Sequence, residues 1–366
     1  MKIGILTFHC AHNYGAVLQC YALQETLKSM GHDVEVIDYR PEYLLAPYRK
    51  FGIHRFLAKN PILLIRKCCK EVLLMNRRRK RYKAFDDFIS SRLNLSEHVQ
   101  GNNIPSKYDI YVMGSDQIWN TNITHGFDDV YFGNFMFLKR NKKYIAYAAS
   151  MGNSLWNDEA KSFYLKSLEN FDSLSVRESS MKILLQPLIN KKIENVLDPT
   201  LLADSGIWNY ILKKPNIKYK YVLVYQVRSN KNTLRIARHI ANEIGAVVIE
   251  VMANFFIKDC FHKNKFQCAS PEEFLGFIKN ASFIVTTSFH GTAFSVIFNK
   301  PFYCITLNDG EDSRSASLLK SIGLGNRMIQ KDSNPNFSDV DFNYANESLS
   351  LQKKESRCFF YKAFEQ

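Results

Sequence analysis

Short apolar, β-rich runs alternate with amphipathic helical stretches along most of this chain, and that alternation leaves few folds open. It is the pattern of α/β architecture, in which parallel strands are covered by helices. Ile3–Phe8, Val34–Tyr39, Ile110–Met113, Tyr144–Ala149, Ser173–Val176 and Asn195–Leu197 read as strands. Ala16–Met30 reads as a helix carrying Val17, Leu18, Tyr21, Leu23 and Leu27. The pattern restarts after Lys213-Lys214-Pro215, with strands at Tyr221–Val227, Ala246–Val251, Phe283–Thr286 and Phe302–Ile305. One helix covers Thr233–Ile244, and another opens at Ser270-Pro271-Glu272-Glu273, a capping box with proline at the first helical position. At 366 residues the chain is long enough for two cores. The expected division is a first domain over 1–210, a second over 211–335 and a helical tail over 336–366, with the boundary between about Thr200 and Lys218.

The formal charge of +14 is unevenly spread: residues 49–92 hold fourteen Lys or Arg against three acids, Glu71, Asp86 and Asp87. The segment reads as a basic helical insertion in the first domain, over about 44–95, broken at Asn60-Pro61. Ile62, Leu63, Leu64, Ile65, Val72, Leu73, Leu74 and Met75 supply apolar surface beside Arg66, Lys67, Lys70 and the run Arg77-Arg78-Arg79-Lys80-Arg81. Two readings fit that mixture. The helix packs by its apolar side and leaves a solvated basic face, or it docks on an anionic membrane surface. No nucleic-acid partner is expected, because no recognised binding motif accompanies the charge.

The eight cysteines form no C-x-x-C pair and no zinc spacing, so no metal site is expected. His9, Cys10 and His12 fit a polar turn better than a metal site. The N-terminus does not read as a signal peptide and the apolar runs are too short to span a bilayer, so a reduced, cytoplasmic protein is the expectation. Neither G-x-G-x-x-G nor a P-loop occurs, which gives no support for a bound dinucleotide or nucleoside triphosphate cofactor.

Ligands of doubly wound α/β domains bind beyond the carboxyl ends of the strands, so the residues found there are the candidates. After the first strand comes His9-Cys10-Ala11-His12-Asn13-Tyr14-Gly15, and after Ile110–Met113 comes Gly114-Ser115-Asp116-Gln117-Ile118-Trp119-Asn120. Later strands deliver Arg177, Asp198, Gln226 and Arg228. Phe283–Thr286 leads into Thr287-Ser288-Phe289-His290-Gly291-Thr292, where strand turns into helix. Unpaired N–H groups and the helix dipole favour an anion there, and a histidine at that place either moves a proton or merely braces the turn. Trp119 offers either a stacking surface for a sugar or a core-edge anchor, and Arg177-Glu178 either an anion clamp or an ordinary ion pair.

Together these motifs resemble the polysaccharide pyruvyl transferase family. The resemblance rests on Asn13-Tyr14-Gly15-Ala16-Val17-Leu18-Gln19, Gly114–Asn120, Tyr147-Ala148-Ala149-Ser150-Met151-Gly152 and Ser175-Val176-Arg177-Glu178, then on Asp198-Pro199-Thr200, Ser288–Ala293 and Ser313-Arg314. It implies two Rossmann-like domains facing across a cleft, similar to the GT-B glycosyltransferases. The implied reaction moves the enolpyruvyl carbons of phosphoenolpyruvate (PEP) onto two hydroxyls of one sugar of a cell-surface glycan precursor, giving a cyclic ketal and phosphate. PEP would be a donor substrate and no separate cofactor would be needed. The resemblance assigns Arg177, Ser288, Phe289, His290, Gly291 and Arg314 to the PEP side, with Arg314 standing in for an arginine that many members carry where this chain has Ser288. His290, Arg177 and Asp116 are the candidate catalytic residues: His290 as the acid, Arg177 neutralising the anion, Asp116 as base or sugar anchor. Asn13, Tyr14, Gly15, Ser115, Asp116, Gln117 and Trp119 are the candidate acceptor contacts, the acceptor being free or carried on a polyprenyl diphosphate. A GT-B glycosyltransferase using a nucleotide sugar is the alternative enzyme, and a glycan- or lipid-binding protein without activity is the third reading.

Overall fold

The structure is a computed structural model that describes residues 1–48, 61–136, 141–154, 156–308, 310 and 312–365, with the side chains of 61–71 outside the description. The expected break at Asn60-Pro61 therefore adjoins residues outside the described ones, and the apolar and basic side chains expected over 62–70 lie outside them too.

Two parallel sheets form the frame. The first contains β1 (Lys2–Leu6), β2 (Asp33–Tyr39), β3 (Leu95–Val99), β4 (Ile110–Asp116), β5 (Lys143–Ala149), β6 (Ser173–Val176) and β7 (Ile193–Asn195), in the order β3-β2-β1-β4-β5-β6-β7. The second contains β8 (Tyr221–Gln226), β9 (Val247–Met252), β10 (Lys265–Phe266), β11 (Phe283–Thr286), β12 (Phe302–Thr306) and β13 (Met328–Gln330), in the order β10-β9-β8-β11-β12-β13. Every pairing is parallel. The central strands are buried along their whole length, which is why β4, β8 and β11 are continuous apolar runs in the sequence. The short edge strands β3, β10 and β13 lack that signature and escape the sequence pattern. Strand β7 ends at Asn195, two residues before the expected end, so Val196 and Leu197 form the approach to Asp198.

Strand order reverses between β1 and β4 in one sheet and between β8 and β11 in the other. Those two switch points face each other across a cleft, giving the GT-B-like arrangement of two Rossmann-like domains. Helix Tyr14–Ser29 closes one side of the junction. Thirteen of its residues are buried, Gly15 and Gln19 among them, because it is covered by both domains. Its first residue, Tyr14, stacks on Phe274 of the second domain with centroids 4.5 Å apart, and its hydroxyl donates to the Ala269 carbonyl at 2.9 Å.

The basic segment is part of the fold's own wiring. Helix Pro61–Arg92 is the crossover between β2 and β3, and Phe85, Phe88 and Ile89 on its C-terminal half belong to the core of the first domain. The solvated-face reading holds only in part, since the arginine run divides by helical phase. Arg77 donates to the Cys260 carbonyl and Arg81 to the Met252 carbonyl at 2.7 Å, both in the second domain. Arg79 and Lys80 point outward. The run thus staples the crossover helix to the opposite domain while two of its cations remain on the surface.

The last helix, Asn343–Glu365, returns from the second domain to the first. Ser348 bonds the Ser321 carbonyl at its start, whereas Ser356 accepts from the Leu197 N–H and Phe360 stacks on Tyr147 at 4.3 Å. Phe360 is wholly buried. Phe360→Ala removes that ring from a site with little room to collapse, and should destabilise the protein by about 3–5 kcal/mol, seen as a lower urea midpoint.

Candidate functional site

The loops after the four switch-point strands converge on one cavity of about 540 Å³. The β1 loop supplies Asn13, the β4 loop Asp116 and Gln117, the β8 loop Val227 and Arg228, and the β11 loop Thr287, Ser288, Phe289 and His290. Arg314, at the start of helix Ser313–Ser321, completes the wall.

His290 lies in the first turn of helix Phe289–Ile297, whose N-cap Ser288 accepts from the Gly291 N–H at 3.3 Å. The ring presses against the start of the helix opposite: a Cβ built on Gly15 would sit 1.9 Å from His290 Nδ1. Only glycine permits that approach, which explains the glycine in the Asn13-Tyr14-Gly15 turn. Across the ring, Nε2 stands 3.8 Å from Asp198 Oδ2 and is buried without a hydrogen-bond partner among the described residues. Burial pushes the imidazole below its usual value of 6.5, and Asp198 and Asp116 only partly offset it. Burial thus favours the neutral form of the imidazole.

Behind His290 lies a buried charge cluster. Arg177 donates from Nη1 to Asp198 at 2.8 Å and from Nε to Glu178 at 3.0 Å, while Nη2 is 3.8 Å from Asp116. Burial opposes the charge, but Glu178, Asp198 and Asp116 hold the guanidinium firmly protonated. Asp198 is held below its ordinary value despite its own burial, through His290, Arg177 and the hydroxyl of Thr200. Glu178 also accepts from Ser150 at 2.9 Å. Two of the three guanidinium nitrogens are thus spent on protein carboxyl groups. Arg177 positions Asp198 and Asp116 around His290, and its Nη2, buried without a hydrogen-bond partner among the described residues, is the nitrogen left to meet a substrate anion. The cations that share the cavity with His290 are Arg314 and Arg228.

Asp116 itself has φ = 73°, in the left-handed region that favours glycine, and it lines the cavity. Backbone held in such a conformation is a frequent mark of a working site. Gln117 is positioned by Asn120, which donates to its Oε1 at 2.6 Å.

Two expected acceptor contacts are corrected. Trp119 is 1% exposed, stacks on Phe132 and donates its indole N–H to the Tyr131 carbonyl, so it is a core anchor out of a sugar's reach. Ser115 is fully buried and its hydroxyl donates to Ala148. Tyr14 spends its hydroxyl on Ala269, as above, and lines a second cavity at the domain junction. The sequence reading named Asp198 and Arg228 as strand-end candidates and Glu178 as a possible partner of Arg177, but gave none of them a role in the site. Asp198 and Arg228 follow strand ends, a signal available beforehand, whereas the role of Glu178 depends on burial that no local pattern shows. His9 bonds Asp38 at 2.8 Å, and burial raises the Cys10 thiol to about 12. Among the described residues no group of three His, Cys, Asp or Glu side chains could hold a metal ion.

The family of polysaccharide pyruvyl transferases matches residues 13–309. The chain belongs to that family. Its members' transferase class and sugar-polymer acceptor accord with a cleft built from two facing domains. A comparison with curated protein sequences finds no match. Among solved structures the chain is similar to the UDP-GlcNAc 2-epimerase of Methanocaldococcus jannaschii, at 14% identity over 97% of this chain and 92% of that one, with TM-score 0.45. It is also similar to MnaA of S. aureus with UDP, at 10% identity over 99% and 90%, TM-score 0.47. The glycosyltransferase SnogD from Streptomyces nogalater matches at 10% identity over 98% and 95%, TM-score 0.41.

Gly15→Ala should leave the fold largely intact while displacing His290. With a misplacement near 1 Å, turnover should fall by about 100-fold, measured as kcat on the transferase reaction alongside an unchanged circular dichroism spectrum.

Proposed function

We propose that this pyruvyl transferase uses PEP as donor and forms a cyclic pyruvate ketal on one sugar of a surface-glycan precursor. The observation that carries the reading is the convergence of Asp116, His290, Arg228 and Arg314 on one cavity at the paired switch points. PEP brings a carboxylate and a phosphate, and two arginines with the N-terminus of helix Phe289–Ile297 supply charge-assisted and dipolar partners for both. No other cofactor is required by this chemistry.

The balanced reaction adds two sugar hydroxyls to PEP C2, places one hydroxyl proton on C3 to make the methyl group, breaks the C2–O bond and releases phosphate carrying the other proton. A neutral His290 begins as the proton acceptor. It takes the proton of an incoming hydroxyl, and the imidazolium formed beside Asp198 then returns it, to C3 or to the departing phosphate. The sequence reading of His290 as the acid thus describes the second half of this cycle, and the acceptor role precedes it. Asp116, across the cavity, orients the hydroxyl that reacts. A glycosyltransferase would draw on the same architecture, so the discriminating measurement is chemical.

Incubation with PEP and a β-galactoside should release phosphate and leave an acid-labile ketal on the sugar. Consumption of a nucleotide sugar without ketal on any tested glycan would overturn the proposal. kcat should hold through neutral pH and fall on acidification below 6.5, because protonation of His290 removes the acceptor. In His290→Ala that acid limb should vanish together with most of the activity, by about 100-fold or more. A folded His290→Ala protein at the parental rate would sink the assignment.

The reading extends to where the enzyme meets its acceptor. No helix among the described residues is long and apolar enough to cross a membrane. Helix Pro61–Arg92 nevertheless presents one outward face with Val72 (63% exposed), Leu73 (64% exposed), Arg79 and Lys80. Two apolar side chains beside surface cations suit the interface of an anionic leaflet, where a lipid-linked glycan would be met. Arg79→Glu with Lys80→Glu should reduce co-sedimentation with vesicles containing phosphatidylglycerol several-fold and spare activity on a soluble sugar; equal binding by parent and variant would remove the membrane role.

A further inference from the structure

A second cavity, of about 370 Å³, adjoins the catalytic one. Asn13, Pro47, Tyr48 and Val227 line both, so the two are compartments of one interdomain space. The second is walled by Arg78, Arg81, Tyr82 and His12 on one side and by Asn254 and Phe255 on the other, and no carboxylate lines it among the described residues.

Its polar groups are built in rather than loosely hung. Arg81 is 4% exposed, and its guanidinium lies 5.3–5.5 Å from the ring centroids of Tyr14, Phe85 and Phe255. Arg78 lies 5.7 Å from the Phe255 ring. His12 stacks on Phe85 at 5.3 Å, and its Nε2 is fixed by Asp86 at 3.0 Å. Its side chain is 11% exposed, and Nδ1 is buried with no hydrogen-bond partner among the described residues. A buried nitrogen left unbonded costs free energy that a ligand can recover. With Nε2 held by Asp86, Nδ1 is left for a ligand beside two arginines, and no carboxylate lines the compartment among the described residues.

We infer that this compartment is an anion subsite for the acceptor. It holds a phosphate or diphosphate attached to the sugar while the sugar's hydroxyls reach Asp116 and His290 next door. The inference rests on the pyruvyl-transfer reading for the direction of the sugar. The anion itself follows from the compartment's own residues. The donor's phosphate and carboxylate already have Arg228, Arg314 and a helix N-terminus in the catalytic compartment, so this second set of cations serves a different group. A phosphorylated sugar is accordingly the acceptor bound more tightly, ahead of a neutral glycan end.

The probe is inorganic pyrophosphate, titrated calorimetrically into the full chain with the catalytic cavity saturated by PEP. Pyrophosphate should still bind. Arg78→Gln should weaken it by roughly tenfold or more, the size of a lost charge-assisted contact, Arg78→Lys should restore most of the affinity, and PEP affinity should be unchanged in both. His12→Phe, which keeps the stacked ring, should weaken pyrophosphate independently of any effect of Arg78 variants on folding. Displacement of pyrophosphate by PEP, or equal binding by parent, Arg78→Gln and His12→Phe, would overturn the subsite. Pyrophosphate binding without PEP binding would instead fault the donor reading and leave the anion subsite standing, and the titration in that case is run without PEP. Galactose 1-phosphate against methyl galactoside as acceptor then separates a sugar-borne phosphate from free pyrophosphate. A lower KM for the phosphorylated sugar that is lost in Arg78→Gln supports the assignment, and equal KM values overturn it.

Discussion

The guanidinium of Arg177, buried among Asp116, Glu178 and Asp198, is the interaction on which the site depends. Burying one cation is expensive unless its donors are satisfied, and burying three acidic side chains together is worse. Each component is tolerable only because the others are present. The cluster joins the ends of β4 and β6 to the approach from β7, and through Asp198 it reaches the histidine of the other domain. Loss of any one member leaves a buried charge uncompensated, a change of about 3–5 kcal/mol in comparable buried pairs. Stability and catalysis are therefore coupled at this point, and a substitution here cannot be read as affecting one alone.

Much of the frame was legible because parallel strands buried on both faces leave continuous apolar runs, as at β4, β8 and β11. His290 was legible for a related reason, since the passage from strand to helix is a place where backbone donors are left over. The edge strands β3, β10 and β13 carry too few buried residues to announce themselves. Direction was harder to read than identity. Trp119 has the same sequence neighbours whether it faces a sugar or Phe132, and only tertiary packing decides. In sequence Arg177-Glu178 stays open between an anion clamp and an ion pair, because the other acids beside Arg177, Asp116 and Asp198, come from other strand ends.

The basic segment shows the same limit with a recoverable signal. Composition marks residues 49–92 as cationic but says nothing about which way each cation points. Leu74, Arg81, Phe85 and Phe88 follow helical spacing on one buried stripe, and Arg81 occupies a place on it that an apolar residue would ordinarily hold. An arginine inside an apolar stripe is evidence of a partner across the helix, here the Met252 carbonyl and three aromatic rings. Arg79 and Lys80 lie off that stripe and stay in water. The segment thus divides between holding the domains together and facing outward, a division that net charge conceals.

The final helix has a mechanical consequence. The chain leaves the first domain after β7 and comes back to it through Asn343–Glu365, so two covalent crossings, not one, join the halves. A single linker would let one half swivel freely on the other. Two attachments suppress twisting and leave rocking about the line between them as the softest relative movement, like a door hung on a pair of hinges. Because Gly15 and His290 meet across that opening, the angle of the door sets whether the reacting groups are in register.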